Sequence, residues 1–419
     1  MQLAKRAARY RLGCAIKVRK DKQRKEEIEW AYHSEMRPRL EATIALAQSE
    51  WPLSDPGTNW DADPWLLGVA NGVVDLRAGR LRKGLPSDRI TMHTRVAFHS
   101  SAKCLRWNSF LLEIFGDEEL IEFVQRAVGY SLSGETREQC VFLCYGEGAN
   151  GKSTFLEALR YVLGDYSHNT PFSTLEMKGR TSIPNDVAAL AGRRFVTAIE
   201  TNDSVRLNEA RLKGLTGSDA ITARYLHKEF FTFHPVAKMW LAFNHKPLVA
   251  DDSHGFWRRM RLIPFPRIFV EDAMDKELLD KLKAEGPAIL AWAVRGCREW
   301  QEKGLGLPPA VEAATQEYRE ESDPLRDFID ELCIVQIGKS VTAGSLWACY
   351  RNWAKENGES WPLDRAAFAR RLEVRGLHRD RMGHARTRIW TGIDLKAAHK
   401  LGILTSHADV RTDADGQIQ

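Results

Sequence analysis

The residues Gly146-Glu147-Gly148-Ala149-Asn150-Gly151-Lys152-Ser153, followed by Thr154, fit the spacing G-x-x-x-x-G-K-[ST] in full. Glycines at these positions let consecutive backbone N–H groups turn towards a phosphate. Lys152 supplies a point charge for the β and γ oxygens, and the Ser153 hydroxyl can ligate Mg²⁺. A helix starting here adds its positive N-terminal end to the same anion. The chemistry expected is binding and hydrolysis of ATP with Mg²⁺. Hydrolysis also needs an acid to polarise water. Glu200, at the end of the apolar run Phe195–Ile199, is the candidate general base and second Mg²⁺ contact, with Asn202 and Asp203 beside it. Asn244 ends the run Lys238–Phe243, where an amide can orient the attacking water or sense the γ-phosphate. Arg258, Arg259 and Arg261 follow. They are placed to reach a neighbouring subunit's γ-phosphate, and equally to form a surface or DNA patch.

These residues need strands to hold them and helices to cover the strands. The apolar run Cys140–Tyr145 immediately precedes the glycine-rich loop. Phe155, Leu156, Leu159, Val162 and Leu163 follow at the spacing of one helix face. Four short apolar runs, 140–145, 194–199, 238–243 and 260–265, alternate with polar and helical stretches, the pattern of a mostly parallel sheet covered by helices. The runs at 140 and 195 are far enough apart for one helix between them, so they can lie side by side, and the strand tip that carries Asn244 can stand between them. Thr222–Phe233 reads as a hairpin ahead of the Asn244 strand.

Residues 1–50 read as helix, with Ile28, Tyr32, Met36, Leu40, Ile44 and Leu46 as the recurring apolar row and Pro38 as a kink. Asn71-Gly72 signals a hairpin among short strands at 65–97. Residues 341–393 read helix, helix, hairpin, with Asp364 as an N-cap and Gly376 as a stop, which suits a winged helix-turn-helix. The domains expected are 1–100 (N-terminal helical and small β region, for oligomerisation), 101–306 (P-loop ATPase core), 307–340 (helical linker), 341–395 (winged helix) and 396–419 (disordered tail).

The 419 residues are 43% hydrophobic and 28% charged, ordinary globular composition that excludes collagen, a disordered chain and a disulfide miniprotein. No 18-residue apolar run is present, so no membrane partner is expected. Seven cysteines, an odd number, fit free thiols in a reducing, cytoplasmic setting. The net charge of +5 is uneven. Residues 1–25 hold ten Lys or Arg against one acid, and residues 365–390 hold eight Arg against two, which points to a polyanion such as nucleic acid.

The ordered set Gly146–Ser153, Glu200, Lys213–Asp219, Asn244 and Phe256-Trp257-Arg258-Arg259 resembles the superfamily 3 helicases. It is most similar to the helicase part of phage- and plasmid-type primase–helicases, over about residues 55–330. The resemblance implies an AAA+-like α/β core and a ring, usually hexameric, with ATP between subunits. Arg258 would be the arginine finger in trans and Asn244 the sensor. Arg224, His227 and Lys228, on the hairpin facing the channel, would contact DNA. A single Glu200, where the family carries an acid pair, is a departure. About fifty residues before the matching segment are too few for a primase domain, so the chain is expected to be a helicase-only protein or a fragment, and a separate primase or polymerase is one expected partner. The function expected is an ATP-dependent DNA helicase for phage or mobile-element replication in a bacterial cytoplasm. Two alternatives keep the ATPase without unwinding: a ring that remodels an origin or loads another helicase, and an ATP-switched DNA-binding initiator.

Overall fold

The computed structural model describes residues 1–51, 54–55, 57, 59–177, 185–200, 205–270, 275–358, 362–383 and 386–396. Asn202, Asp203 and the tail beyond 396 lie outside them. The chain divides into two compact units between Ala62 and Asp63.

The first unit holds α1 (Gln2–Ala15), α2 (Asp21–Ser34) and α3 (Arg37–Ala47). Its buried side chains are Ala8, Ala15, Ala31 and Leu40. Of the apolar row read from the sequence, only Leu40 is buried, while Tyr32, Met36 and Leu46 are exposed. The reason is where the helix breaks. The chain turns at Glu35–Met36, so the row does not stay on one face. Pro38 lies in the first turn of α3, where its missing N–H leaves no intrahelical bond unmade.

The second unit begins with an antiparallel meander of β1 (Leu66–Val69), β2 (Gly72–Asp75) and β3 (Arg80–Arg82). This meander belongs with the core, whereas the sequence grouped it with the N-terminal helices. Asn71 sits in the β1–β2 turn. Its side chain bridges both backbone groups of Phe98, donating to the carbonyl at 3.0 Å and accepting from the N–H at 2.9 Å. After α4 (Leu105–Phe115) and α5 (Glu118–Leu132) comes the alternating region. It holds β4 (Val141–Tyr145), α6 (Lys152–Leu163), β5 (Ser167–Asn169), α7 (Asn185–Ala188), β6 (Phe195–Ile199), α8 (Glu209–Thr216), β7 (Ile221–Ala223), β8 (Phe231–Phe233), β9 (Lys238–Phe243), α9 (His254–Trp257) and β10 (Met260–Pro264). Five of these strands form one sheet in the order β10-β4-β9-β6-β5, with all pairs parallel. β4 and β6 are therefore not neighbours, because β9 is inserted between them.

The pleat explains why these strands are apolar throughout. Phe142, Cys144, Trp240 and Ala242 enter a core with α4, α5 and α6. Val141, Leu143, Met239 and Leu241 enter another on the opposite face. Helices α10 (Leu278–Ala284), α11 (Gly286–Lys303) and α12 (Pro309–Glu321) complete the layers.

At the N-terminal edge of the sheet two buried cations gather carbonyls at and beyond the end of α5. Arg194 donates to Leu132 O at 2.8 Å. Lys238 donates to the carbonyls of Ser133, Glu135 and Val236, and its burial holds its pKa well below the ordinary lysine value. Cations suit a helix C-terminus. Lys238→Met keeps the stem and removes the donors, leaving buried carbonyls unpaired, so the variant should lose about 1–3 kcal/mol. A chemical-denaturation midpoint equal to wild type would show that these bonds are not needed.

The chain continues as α13 (Arg326–Leu332), β11 (Cys333–Thr342), α14 (Ala343–Glu356), α15 (Arg365–Val374), β12 (His378–Met382) and β13 (Thr387–Leu395). The three strands form an antiparallel sheet in the order β11-β13-β12 around their own core. Asp364 caps α15, accepting from Ala367 N–H at 2.7 Å, and Gly376 ends it at φ +78°. β11 corrects the linker expected over 307–340. It was hidden because its central residues are exposed and unpaired, between ladder segments at 333–335 and 340–342.

Candidate functional site

The glycine-rich loop joins the C-terminal end of β4 to α6. Gly151 at φ +84° is the N-cap of α6, so the first N–H groups of that helix open into the hollow of the loop. A Cβ at Gly151 would stand 2.8 Å from Ile114 on α4, and one at Gly146 would collide with the Asn150 amide and the Phe265 carbonyl. The segment after β10 straps the loop down. Phe265 N–H donates to Tyr145 O at 2.7 Å and Phe269 N–H to Ala149 O at 2.8 Å.

Lys152 is buried beneath this loop. Its ammonium donates to Gly146 O at 2.5 Å, Asn150 Oδ1 at 2.9 Å and Asn244 Oδ1 at 3.0 Å. Burial lowers its pKa to about 8. Asn150 is buried as well, and its amide donates back to the Glu147 carbonyl. Glu147, Gly148, Ala149 and Ser153 are exposed, and Thr154 is half-buried. The loop is thus a concave set of N–H donors with an ammonium beneath it.

The strand order brings the other residues to the same edge. Tyr145 pairs with Phe243, so Asn244 emerges beside Gly146. Glu200 N–H donates to Ala242 O at 2.9 Å, which puts Glu200 one strand beyond Asn244. Neighbouring strands lie about 4.8 Å apart. The insertion of β9 thus places the amide between the glycine-rich loop and the acid. Ser153 and Glu200 offer a hydroxyl and a carboxylate, hard oxygen donors suited to Mg²⁺.

Arg258 lies at the opposite edge. It follows α9 and precedes β10, and Val141 N–H at the start of β4 donates to Arg259 O at 2.8 Å. A strand of this length separates Arg258 from its own P-loop by roughly 15 Å. Its guanidinium is exposed and donates to Gln139 Oε1 at 2.6 Å, whereas that of Arg259 turns back onto Gly255 O.

β7 and β8 form the expected hairpin, with Ala223 opposite Phe231. His227 sits at the tip with φ +59°. Arg224 lies 4.8 Å over the Phe230 ring, and Tyr225 stacks on Phe231 at 5.5 Å. Tyr225, Leu226 and Phe230 are exposed. The sequence reading of Arg224, His227 and Lys228 passed over these apolar tip residues, although the interleaving Arg-Tyr-Leu-His-Lys-Glu-Phe-Phe carried the signal of a stacking surface. Lys246 was also missed. It pairs with Glu321 at 2.6 Å and lies 4.9 Å over Tyr145, at the entrance to the P-loop.

Among the described residues no helix is long and apolar enough to cross a membrane. Residues 1–116 match the family described as D5 N terminal like, residues 144–259 a family of unknown function (DUF5906), and residues 320–374 the family described as poxvirus D5 protein-like. The chain is 32% identical over 329 residues to a protein of Acanthamoeba polyphaga mimivirus named as a helicase, covering 71% of this chain and 34% of that protein. It is 24% identical to one of Frog virus 3 also named as a helicase, covering 71% and 39%. It is 26% identical to one of African swine fever virus named as a primase, covering 68% and 33%. The chain thus spans about a third of the length of these relatives. Among solved structures it is similar to the NrS-1 C-terminal region, at 12% identity and a TM-score of 0.44, covering 66% of this chain and 64% of that one. The chain therefore carries D5-type segments at both ends and has relatives among helicase- and primase-named proteins of large DNA viruses. These relatives come from large DNA viruses, where the sequence reading expected a phage or mobile element.

Proposed function

We propose that this chain is the motor part of an ATP-dependent DNA helicase of superfamily 3 that serves viral DNA replication as a homo-oligomeric ring. The observation that carries this reading is the hydrogen bond from Lys152 to Asn244, which ties the phosphate loop to the strand tip beside Glu200. ATP enters as substrate with its triphosphate in the loop. Its γ-phosphate oxygens replace Asn244 as partner of Lys152, freeing the amide to hold the attacking water. Glu200 takes a proton from that water as it attacks in line. Lys152, and Arg258 of an adjacent subunit, stabilise the charge that develops on the γ-phosphoryl group. Mg²⁺, held by Ser153 and Glu200, would neutralise the β and γ oxygens when bound.

Release of Asn244 also links hydrolysis to movement. The strand that carries Asn244 is entered directly from the β7–β8 hairpin, so a shift at its tip is transmitted to the hairpin. There Lys228 offers a charge to a phosphate, and His227 with the exposed Phe230 offers surfaces for bases. The double variant His227→Ala/Lys228→Ala should assemble and hydrolyse ATP without DNA at the wild-type rate. It should lose fork unwinding and most DNA stimulation. Normal fork unwinding by this variant would refute the hairpin assignment. Absence of strand displacement by wild type, with DNA-stimulated ATPase intact, would favour an origin-remodelling or helicase-loading ATPase.

A further inference from the structure

The two Arg-rich elements of the C-terminal subdomain differ in what their arginines do. On α15, Arg371 is buried and donates to Ala250 O, facing Asp252 at 4.0 Å and Asp323 at 3.8 Å. Arg375 pairs with Asp323. The same helix face lines a cleft of about 1180 Å³ whose walls include Asp251, Asp252, Asp323, Asp327 and Asp364. A phosphate backbone laid along this face would meet carboxylates, and Arg371 and Arg375 are already engaged there.

The β12–β13 hairpin is the reverse case. β11 pairs with β13 only as far as Ile389, so the hairpin runs on past it as a two-stranded ribbon. In this ribbon Arg381 stands directly opposite Arg388. Like charges in direct cross-strand register oppose folding. Arg386 follows at the turn with φ +48°. Residues 381–388 contain three arginines and no acid. Every residue of β12 is exposed, as are Arg386 and Arg388. Among the described residues, Arg381, Arg386 and Arg388 make no ion pair, whereas Arg379, nearer the core, is held by Glu373 at 2.8 Å and lies over Trp390. Residues 381–388 contain no Phe, Tyr or Trp, and their one ring is the imidazole of His384, so this segment offers less stacking surface to unpaired bases than the β7–β8 hairpin.

We propose that the ribbon at 381–383 and 386–388 is a contact site for the phosphate backbone of double-stranded DNA, with Arg381, Arg386 and Arg388 as its phosphate ligands and α15 turned away from the duplex. This site is independent of the ATPase reading, and its test needs no nucleotide. Binding of a short duplex by the full chain would be measured across a salt series for three variants. Arg381→Gln/Arg386→Gln/Arg388→Gln should weaken binding and flatten the slope of log affinity against log salt by roughly 0.9 for each phosphate that is no longer neutralised. The corresponding triple Lys variant keeps the charges and should keep the slope, which separates loss of charge from loss of fold. Arg365→Gln/Arg370→Gln on α15 should leave the slope unchanged. An unchanged slope in the Gln triple variant would overturn the assignment and mean that the ribbon meets an acidic protein surface instead. A larger loss in the α15 pair, or an equal loss on single-stranded oligo-dT, would overturn it too.

Discussion

Glu200→Gln should bind ATP as tightly as wild type and leave it unhydrolysed, whereas Lys152→Ala should fail at binding as well. The glutamine keeps the size and hydrogen-bonding shape of the acid but cannot accept a proton from water. Loss of a general base alone costs roughly 10²–10⁴ in rate. Lys152→Ala removes a charge-assisted contact worth about 1.5–3 kcal/mol, so ATP affinity should fall roughly 10–150-fold. A pH series adds an independent check. Burial holds the free Lys152 at a pKa of about 8, and a bound polyphosphate raises it. A group whose pKa rises on binding contributes fully below its free pKa and progressively less above it. Wild-type affinity for ATP should therefore decline as pH rises above about 8, and Lys152→Ala should lack that decline. Equal ATP affinity in the two variants, or a pH profile that Lys152→Ala leaves intact, would refute the roles given to these residues.

The site was legible in the sequence because its parts are local. The P-loop is one continuous segment whose glycines and lysine are dictated by backbone geometry. Glu200 and Asn244 each end an apolar run that stands out by composition. What the sequence could not supply was lateral order. The runs at 140 and 195 could lie side by side or take the tip of the 238 run between them, and nothing in their composition decides it. The parallel sheet inserts β9 between β4 and β6, and this puts Asn244 on Lys152. The N-terminal helices show a different limit. Their apolar row runs across a helix break, so Tyr32 and Leu46 are on the surface, while small alanines fill the contacts. β11 escaped notice because a strand paired only at its two ends shows no inside–outside alternation. The arginines of 365–390 were visible as a block. Only the fold separates Arg371 and Arg375, both engaged by Asp323, from those left on the ribbon.

Arg258→Ala should lower turnover by roughly 10³–10⁵ while ATP binding stays nearly intact, because an arginine finger acts chiefly on the charge of the transition state. The sheet makes this a statement about assembly. Arg258 stands at the N-terminal edge of β4 and β10 and the glycine-rich loop at the C-terminal edge, so Arg258 could act as a finger only on the site of another chain. In the free chain its exposed guanidinium rests on the side-chain oxygen of Gln139, a single neutral contact that a phosphoryl group can outcompete. Arg259 is the less suited of the two, being folded back on Gly255. If the finger acts in trans, neither Arg258→Ala nor Lys152→Ala subunits alone form a working interface. A mixture regains some, since each variant contributes the residue the other lacks. Turnover should therefore reappear on mixing once subunits exchange, and the recovered rate should depend on the mixing ratio and peak near equal amounts. Mixed assemblies shown to exchange, yet without recovery, would remove Arg258 from the active site and return it to the role of a surface contact for Gln139.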